Sequence, residues 1–111
     1  MAIYIKTNDP KQLFEKIKTR LGELINPSWK LDADGDLEYT MLQYNTAWFR
    51  PYFNPKNLVF GIIGTKNNSL LTSTYSLYHA EIAKFLLNNF DNDIISIRIT
   101  PHKVISIDKY E

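Results

Sequence analysis

The sequence predicts an α+β domain, a mostly antiparallel sheet with two amphipathic helices packed on one face, in the order βαβββαββ. Three observations predict it. Short segments of period two recur along the chain, two longer segments carry helical spacing, and Gly-, Asp- and Pro-rich breaks of hairpin length separate the middle strands. The clearest stretch is residues 73–100, STYSLYHAEIAKFLLNNFDNDIISIRIT. Tyr78, Ile82, Phe85, Leu86 and Phe90 fall at helical spacing there, and Leu77 and Leu87 widen the stripe enough for the helix to lie across a sheet. Asp91, Asn92 and Asp93 interrupt it. Ile95, Ile97 and Ile99 then alternate with Ser96, Arg98 and Thr100, the signature of a strand with one wet face.

Taken in order, Ile3 and Ile5 alternate with Tyr4 and Lys6 in an opening strand. Asp9 is placed to cap a helix, Pro10 fits its first position, and Gln12 stands where a capping box takes Glu or Gln. Leu13, Phe14, Ile17, Leu21, Leu24 and Ile25 make the apolar stripe of this first helix, and Asn26 and Pro27 stop it. Gly22 weakens its last turns.

From Ser28 the period becomes two. Trp29 and Leu31 precede, and Leu37, Tyr39 and Met41 follow, the sequence DADGD. A three-residue loop, Ala33-Asp34-Gly35, sets Leu31 opposite Leu37 and Trp29 opposite Tyr39, whereas a two-residue Asp34-Gly35 loop sets Leu31 opposite Glu38. The first keeps the apolar face whole and is the expected register. A calcium-loop reading of DADGD fails because glycine comes at the fourth loop position and Gln43 occupies the twelfth.

Residues 43–57 have the weakest periodicity, and Pro51 and Pro55 argue for an irregular connection with partly exposed aromatics. Leu58 to Ile63 reads as a buried strand with Gly61 as a bulge, GTKNNS as a polar turn, and Ser73 or Thr74 as the N-cap of the second helix. After Pro101, Val104, Ile105 and Ile107 suggest a last strand with Ile105 beside Ile99, and the tail from Asp108 to Glu111 should be exposed.

Composition sets the bounds. The 111 residues suffice for one domain, 1–111. Thirteen Lys and Arg against twelve Asp and Glu give a net charge of +1, so no long-range field selects nucleic acid, an anionic membrane or an acidic partner. The absence of Cys excludes disulfides, thiolate metal sites and cysteine nucleophiles and permits a cytoplasmic location. Neither an export signal nor a membrane span is visible. Abundant Asn, Ile, Lys and Tyr suggest an AT-rich coding region of a bacterium, phage or mobile element.

No motif demands a particular chemistry. Glycine-rich phosphate loops and serine nucleophile elbows are absent. His79 and His102 are the only side chains that titrate near neutrality unperturbed, and a pair of them suits acid–base cleavage of RNA, but nothing in their spacing requires it. His79 and Ala83 occupy the spacing of a helical zinc site, and Ala supplies no ligand. No metal, cofactor or catalytic residue is expected. The segment holding Trp48, Phe49, Arg50, Tyr52 and Phe53 has the residue types enriched at protein-binding hot spots, and also suits stacking of unpaired bases. Asp34 and Asp36 on the hairpin tip suit a basic partner. The leading expectation is therefore a non-enzymatic protein-binding domain, such as an immunity or inhibitor protein of a bacterial or mobile-element system. The alternatives are a small nucleic-acid-acting protein, binding single strands through the aromatic segment or cutting with His79 and His102, and a small-ligand pocket between helix and sheet.

Overall fold

The computed structural model describes residues 2–42, 47–64 and 72–108. In chain order they form β1 (Ile3–Lys6), α1 (Pro10–Glu23), β2 (Trp29–Leu31), β3 (Leu37–Tyr39), β4 (Ala47–Phe53), β5 (Asn57–Gly64), α2 (Thr72–Phe90), a short 3-10 turn (Asp91–Asp93) and β6 (Ser96–Ile99). The strands make one sheet in the order β2-β3-β4-β5-β1-β6, antiparallel at every pairing. This is the α+β class that the periodicities predict. No described helix is long and apolar enough to cross a membrane.

Both helices cover one face. Ile3 and Ile5 of β1, Leu58, Phe60 and Ile62 of β5, Phe49 of β4 and Leu37 of β3 are fully buried there. They meet Leu13 and Ile17 of α1 and Tyr78, Ile82 and Leu86 of α2 in one core. The cap of α1 is as expected, with Asp9 Oδ1 accepting the Gln12 N–H at 3.0 Å and Pro10 at the start. The helix ends earlier than its apolar stripe suggested: Leu24 is extended, Asn26 takes a left-handed φ of 52°, and Ile25 is 91% exposed. Thr72 already belongs to α2, so Ser73 and Thr74 lie inside the helix rather than capping it.

The β2–β3 hairpin has the register that the apolar face demanded. Leu31 pairs with Leu37 and Trp29 with Tyr39, while Asp32 N–H donates to Asp36 O across the three-residue loop and Gly35 sits at φ 83°.

Two segments differ from expectation. Residues 47–53 form a strand, β4, paired with β5 along its whole length from Ala47↔Gly64 to Phe53↔Leu58. Pro51 is tolerated because β3 pairs with β4 only at Leu37↔Phe49, which leaves β4 an edge strand beyond that point. Of the GTKNNS turn, Gly64 ends β5 and residues 65–69 lie outside the described residues. Residues 104–107 form turns, not a strand, and Ile105 is exposed rather than set beside Ile99. Their anchor is Asp108, buried where an exposed tail was expected. Its carboxylate accepts the N–H of Ile62 at 2.8 Å and of Val104 at 2.7 Å. The Ile107 carbonyl consequently lies on Gly61, where a Cβ would come within 2.3 Å of the oxygen. Gly61 pairs in continuous register with Arg50, so it serves this close approach and makes no bulge.

Gly61→Ala should therefore push the C-terminal turns off the sheet and lower stability by about 1–3 kcal/mol in urea unfolding. Gly22→Ala, with open space around the new methyl and a helical backbone, should raise stability by about 1 kcal/mol. Tyr78 gives a pH signature. Its buried hydroxyl donates to Ala47 O at 2.6 Å, and burial pushes the phenol from 10.0 to about 12. The unfolded chain releases this proton from about pH 10, whereas the folded chain holds it until about pH 12. Stability from this group is complete below pH 10 and falls above it by about 1.4 kcal/mol per pH unit, a slope that Tyr78→Phe should remove.

Candidate binding surface

The pleat sends alternate side chains of the same strands away from the helices. Phe49 points inward and is fully buried, so it is not a contact residue, contrary to its inclusion in the aromatic segment. Its ring touches Trp29 at 5.8 Å and Tyr78 at 5.6 Å between centroids. Phe53 is also on the helix side, at the open end of β4, 42% exposed and edge-on to Phe14 at 5.7 Å. Trp48, Arg50 and Tyr52 occupy the opposite face and are each half-buried.

Neighbouring strands extend this second face. Tyr52 pairs with Val59, Val59 with Tyr4, and Tyr4 with Arg98, which makes one row across β4, β5, β1 and β6. The Arg98 guanidinium stands 4.2 Å from the centre of the Tyr4 ring, a cation–π contact. Trp48, four residues before Tyr52 on β4, pairs with Ile63. Between the two rows lies Gly61, covered by Ile107, whose carbonyl accepts the Tyr52 hydroxyl at 3.3 Å. The face thus presents two half-open aromatic areas with the C-terminal turns seated between them.

Both acids of the β2–β3 hairpin that point to this side are paired. Asp36 is buried and grips Arg50 through two bonds, from Nε to Oδ1 at 3.0 Å and from Nη2 to Oδ2 at 2.9 Å. Hydrogen bonding to Asp36 pushes the Arg50 guanidinium further up from its already high range. Glu38 lies 3.6 Å from Lys30. Asp36 is therefore a support for Arg50 and not a partner-facing carboxylate, while Asp34 remains exposed at the hairpin tip. The carboxylates of Asp32, Asp34 and Asp36 converge within 4.8 Å of one another. Asp32 Oδ1 accepts the N–H groups of Asp34 and Asp36 at 2.9 and 3.0 Å, which fastens the turn.

His79 is buried on α2. Its ring lies edge-on to Phe49 and its Nδ1 is 2.6 Å from Tyr75 O, where it donates to that carbonyl. His102 is exposed in the turn after β6. His79 also lines a mainly apolar groove of about 510 Å³ shared with Tyr75, Ala80, Ile99 and Pro101. Sequence reasoning missed Tyr4 and Arg98, whose positions on the wet side of their strands were legible but whose adjacency required the strand order.

No family model, curated protein or solved structure matches the chain.

The Asp36–Arg50 pair should couple energetically. Asp36→Asn is expected to cost about 1–2 kcal/mol, discounted because Arg50 is partly exposed, since it leaves a charged guanidinium against a neutral amide. Adding Arg50→Met should recover part of that loss, a non-additivity readable in a double-mutant cycle of urea unfolding.

Proposed function

We propose that the chain is a non-enzymatic protein-binding domain that receives its partner on the open face of the sheet. The observation that carries this reading is the placement of half-exposed Trp48, Arg50, Tyr52 and Tyr4, with exposed Arg98, on one side of paired strands. Trp, Tyr and Arg are the residue types that dominate binding energy. Strands already hold them in position, so little conformational entropy is lost on docking. Asp34 lies at the hairpin tip beside this face and adds a negative rim. An inhibitor or immunity protein of a bacterial or mobile-element system, acting on a partner with a basic surface, fits such a face.

A second reading, a single-strand nucleic-acid binder, is favoured by the three rings of Tyr4, Trp48 and Tyr52 standing near Lys6, Lys30, Arg50 and Arg98. Two of these cations already face Asp36 and Glu38, and the net charge of +1 supplies little phosphate attraction.

The tagged chain, expressed in its native host, should retain a stoichiometric protein partner. Trp48→Ala with Tyr52→Ala should weaken that complex at least about a hundredfold by titration, while Leu87→Ala on the outer side of α2 leaves it intact. Equal retention by the face variant would refute the proposal. So would a tight, salt-sensitive shift of labelled RNA or single-stranded DNA that the same variant abolishes, and that outcome would establish the second reading.

A further inference from the structure

The turns at 101–108 lie on the open face as a piece with its own internal bonds. They leave the sheet after Thr100, whose N–H donates to Ala2 O at 2.9 Å, and Pro101 then ends the ladder. Five of the eight residues are exposed, Val104 and Ile107 are half-buried, and only Asp108 is buried. None of the eight belongs to the hydrophobic core. Their hydrogen bonds are of two kinds. Within the turns, the N–H groups of Ile107 and Asp108 donate to Val104 O at 3.1 and 2.8 Å, and Asp108 Oδ2 accepts the Val104 N–H at 2.7 Å. Across to the sheet, Asp108 Oδ1 accepts the Ile62 N–H at 2.8 Å and Ile107 O accepts the Tyr52 hydroxyl at 3.3 Å. Ile62 lies two residues beyond Phe60, which pairs with Ile3 at the start of β1, so a side chain stands there in place of a strand carbonyl.

We propose that these turns are a hinged cover over the middle of the open face, which swings away at Thr100 as a unit while the sheet stays folded. Closed, it seats Ile107 on Gly61, between the Trp48–Ile63 row and the Tyr52–Val59 row. A partner that engages both rows must lift it. Lifting breaks the bonds to Ile62 and Tyr52 and leaves the three bonds inside the turns, and the whole core, in place. The freed Ile62 N–H sits past the start of β1, where water takes it over, so the cost is that of a local opening and not of unfolding. Glycine weakens a strand, and its place at 61 is explained by the close approach of the cover. Once the cover is off, Gly61 presents bare backbone and the Tyr52 hydroxyl is free to bond a partner, so the two aromatic areas join. The closed cover lowers apparent affinity in proportion to the fraction of molecules that are open. This use of the opening rests on the reading of the face as a binding surface; the opening itself does not.

Hydrogen exchange of the unaltered chain under native conditions tests the opening without any partner. The Ile62 amide should exchange at least about a hundredfold faster than the hydrogen-bonded amides of the β1–β5 ladder, and its rate should barely respond to low urea while theirs climbs steeply. An Ile62 amide that matches the ladder in rate and in urea dependence overturns the proposal. Asp108→Ala, which removes the hook to Ile62, should tighten the complex with the partner retained from the native host about tenfold, because the partner no longer has to displace the cover. Asp108→Asn, which keeps one oxygen to accept the Ile62 N–H, should tighten it less. Unchanged or weaker binding by a folded Asp108→Ala chain overturns the competition between cover and partner. A chain that retains no partner refutes the binding surface instead, and the exchange of Ile62 then decides the cover by itself.

Discussion

The structure depends on the burial of β5 on both of its faces. Leu58, Phe60 and Ile62 face the helices, while Val59 and Gly61 face the other way, and all five are buried. A near-continuous apolar run such as LVFGII cannot be satisfied by one layer of helices alone. Tyr4 and Tyr52 flank Val59 from the neighbouring strands, and Ile107 lies on Gly61. Asp108 fastens that cover by accepting the Ile62 N–H, a bond between residues 46 apart in sequence. The second face is therefore neither fully wet nor sealed, and its partial cover gives its aromatics their half-exposed character.

Much of this was legible wherever a local signal and the tertiary demand agree. The cap at Asp9, the three-residue hairpin loop and the helix–strand pair over 73–99 all follow from spacing and turn chemistry, and the sheet honours them. β4 was not legible, because Pro51 and Pro55 suggest a broken strand and only the pairing with β5 shows that the edge tolerates Pro51. The turns at 104–107 deceived for the opposite reason. Val104, Ile105 and Ile107 have strand-like composition, but their conformation is set by the Asp108 carboxylate, and no periodicity encodes a distant backbone partner. In the core, the Trp29 indole Nε1 has no hydrogen-bond partner among the described residues. That arrangement trades about 1–3 kcal/mol of desolvation for ring contacts with Tyr39, Phe49 and Tyr78.

The candidate surface was half visible. Trp48, Arg50 and Tyr52 were named from composition alone, whereas the exclusion of Phe49 needed only the strand period, had the strand been recognised. Tyr4 and Arg98 come from opposite ends of the chain and meet because β1 sits between β5 and β6. Strand order is a long-range property, and a single sequence does not display it.

The alternation that buries Phe49 is the same one that exposes Trp48, so core and surface cannot be adjusted independently. A slip of β4 by one residue would turn Trp48 and Arg50 into the core and Phe49 out to solvent. Near the hairpin, β4 pairs with β3 only at Leu37↔Phe49, which is a short ladder for so consequential a register. The Asp36–Arg50 bonds lie one residue beyond that pair, on the other face, and a one-residue slip would break both. The seven-pair ladder with β5 sets which side of β4 carries the aromatics, and the ion pair ties the β2–β3 hairpin to that register. Its acidic member comes from a turn whose own shape is set by Asp32. The acidic hairpin acts on the surface from beneath, by holding the Arg50 guanidinium in place on the face that β4 shares with Trp48 and Tyr52.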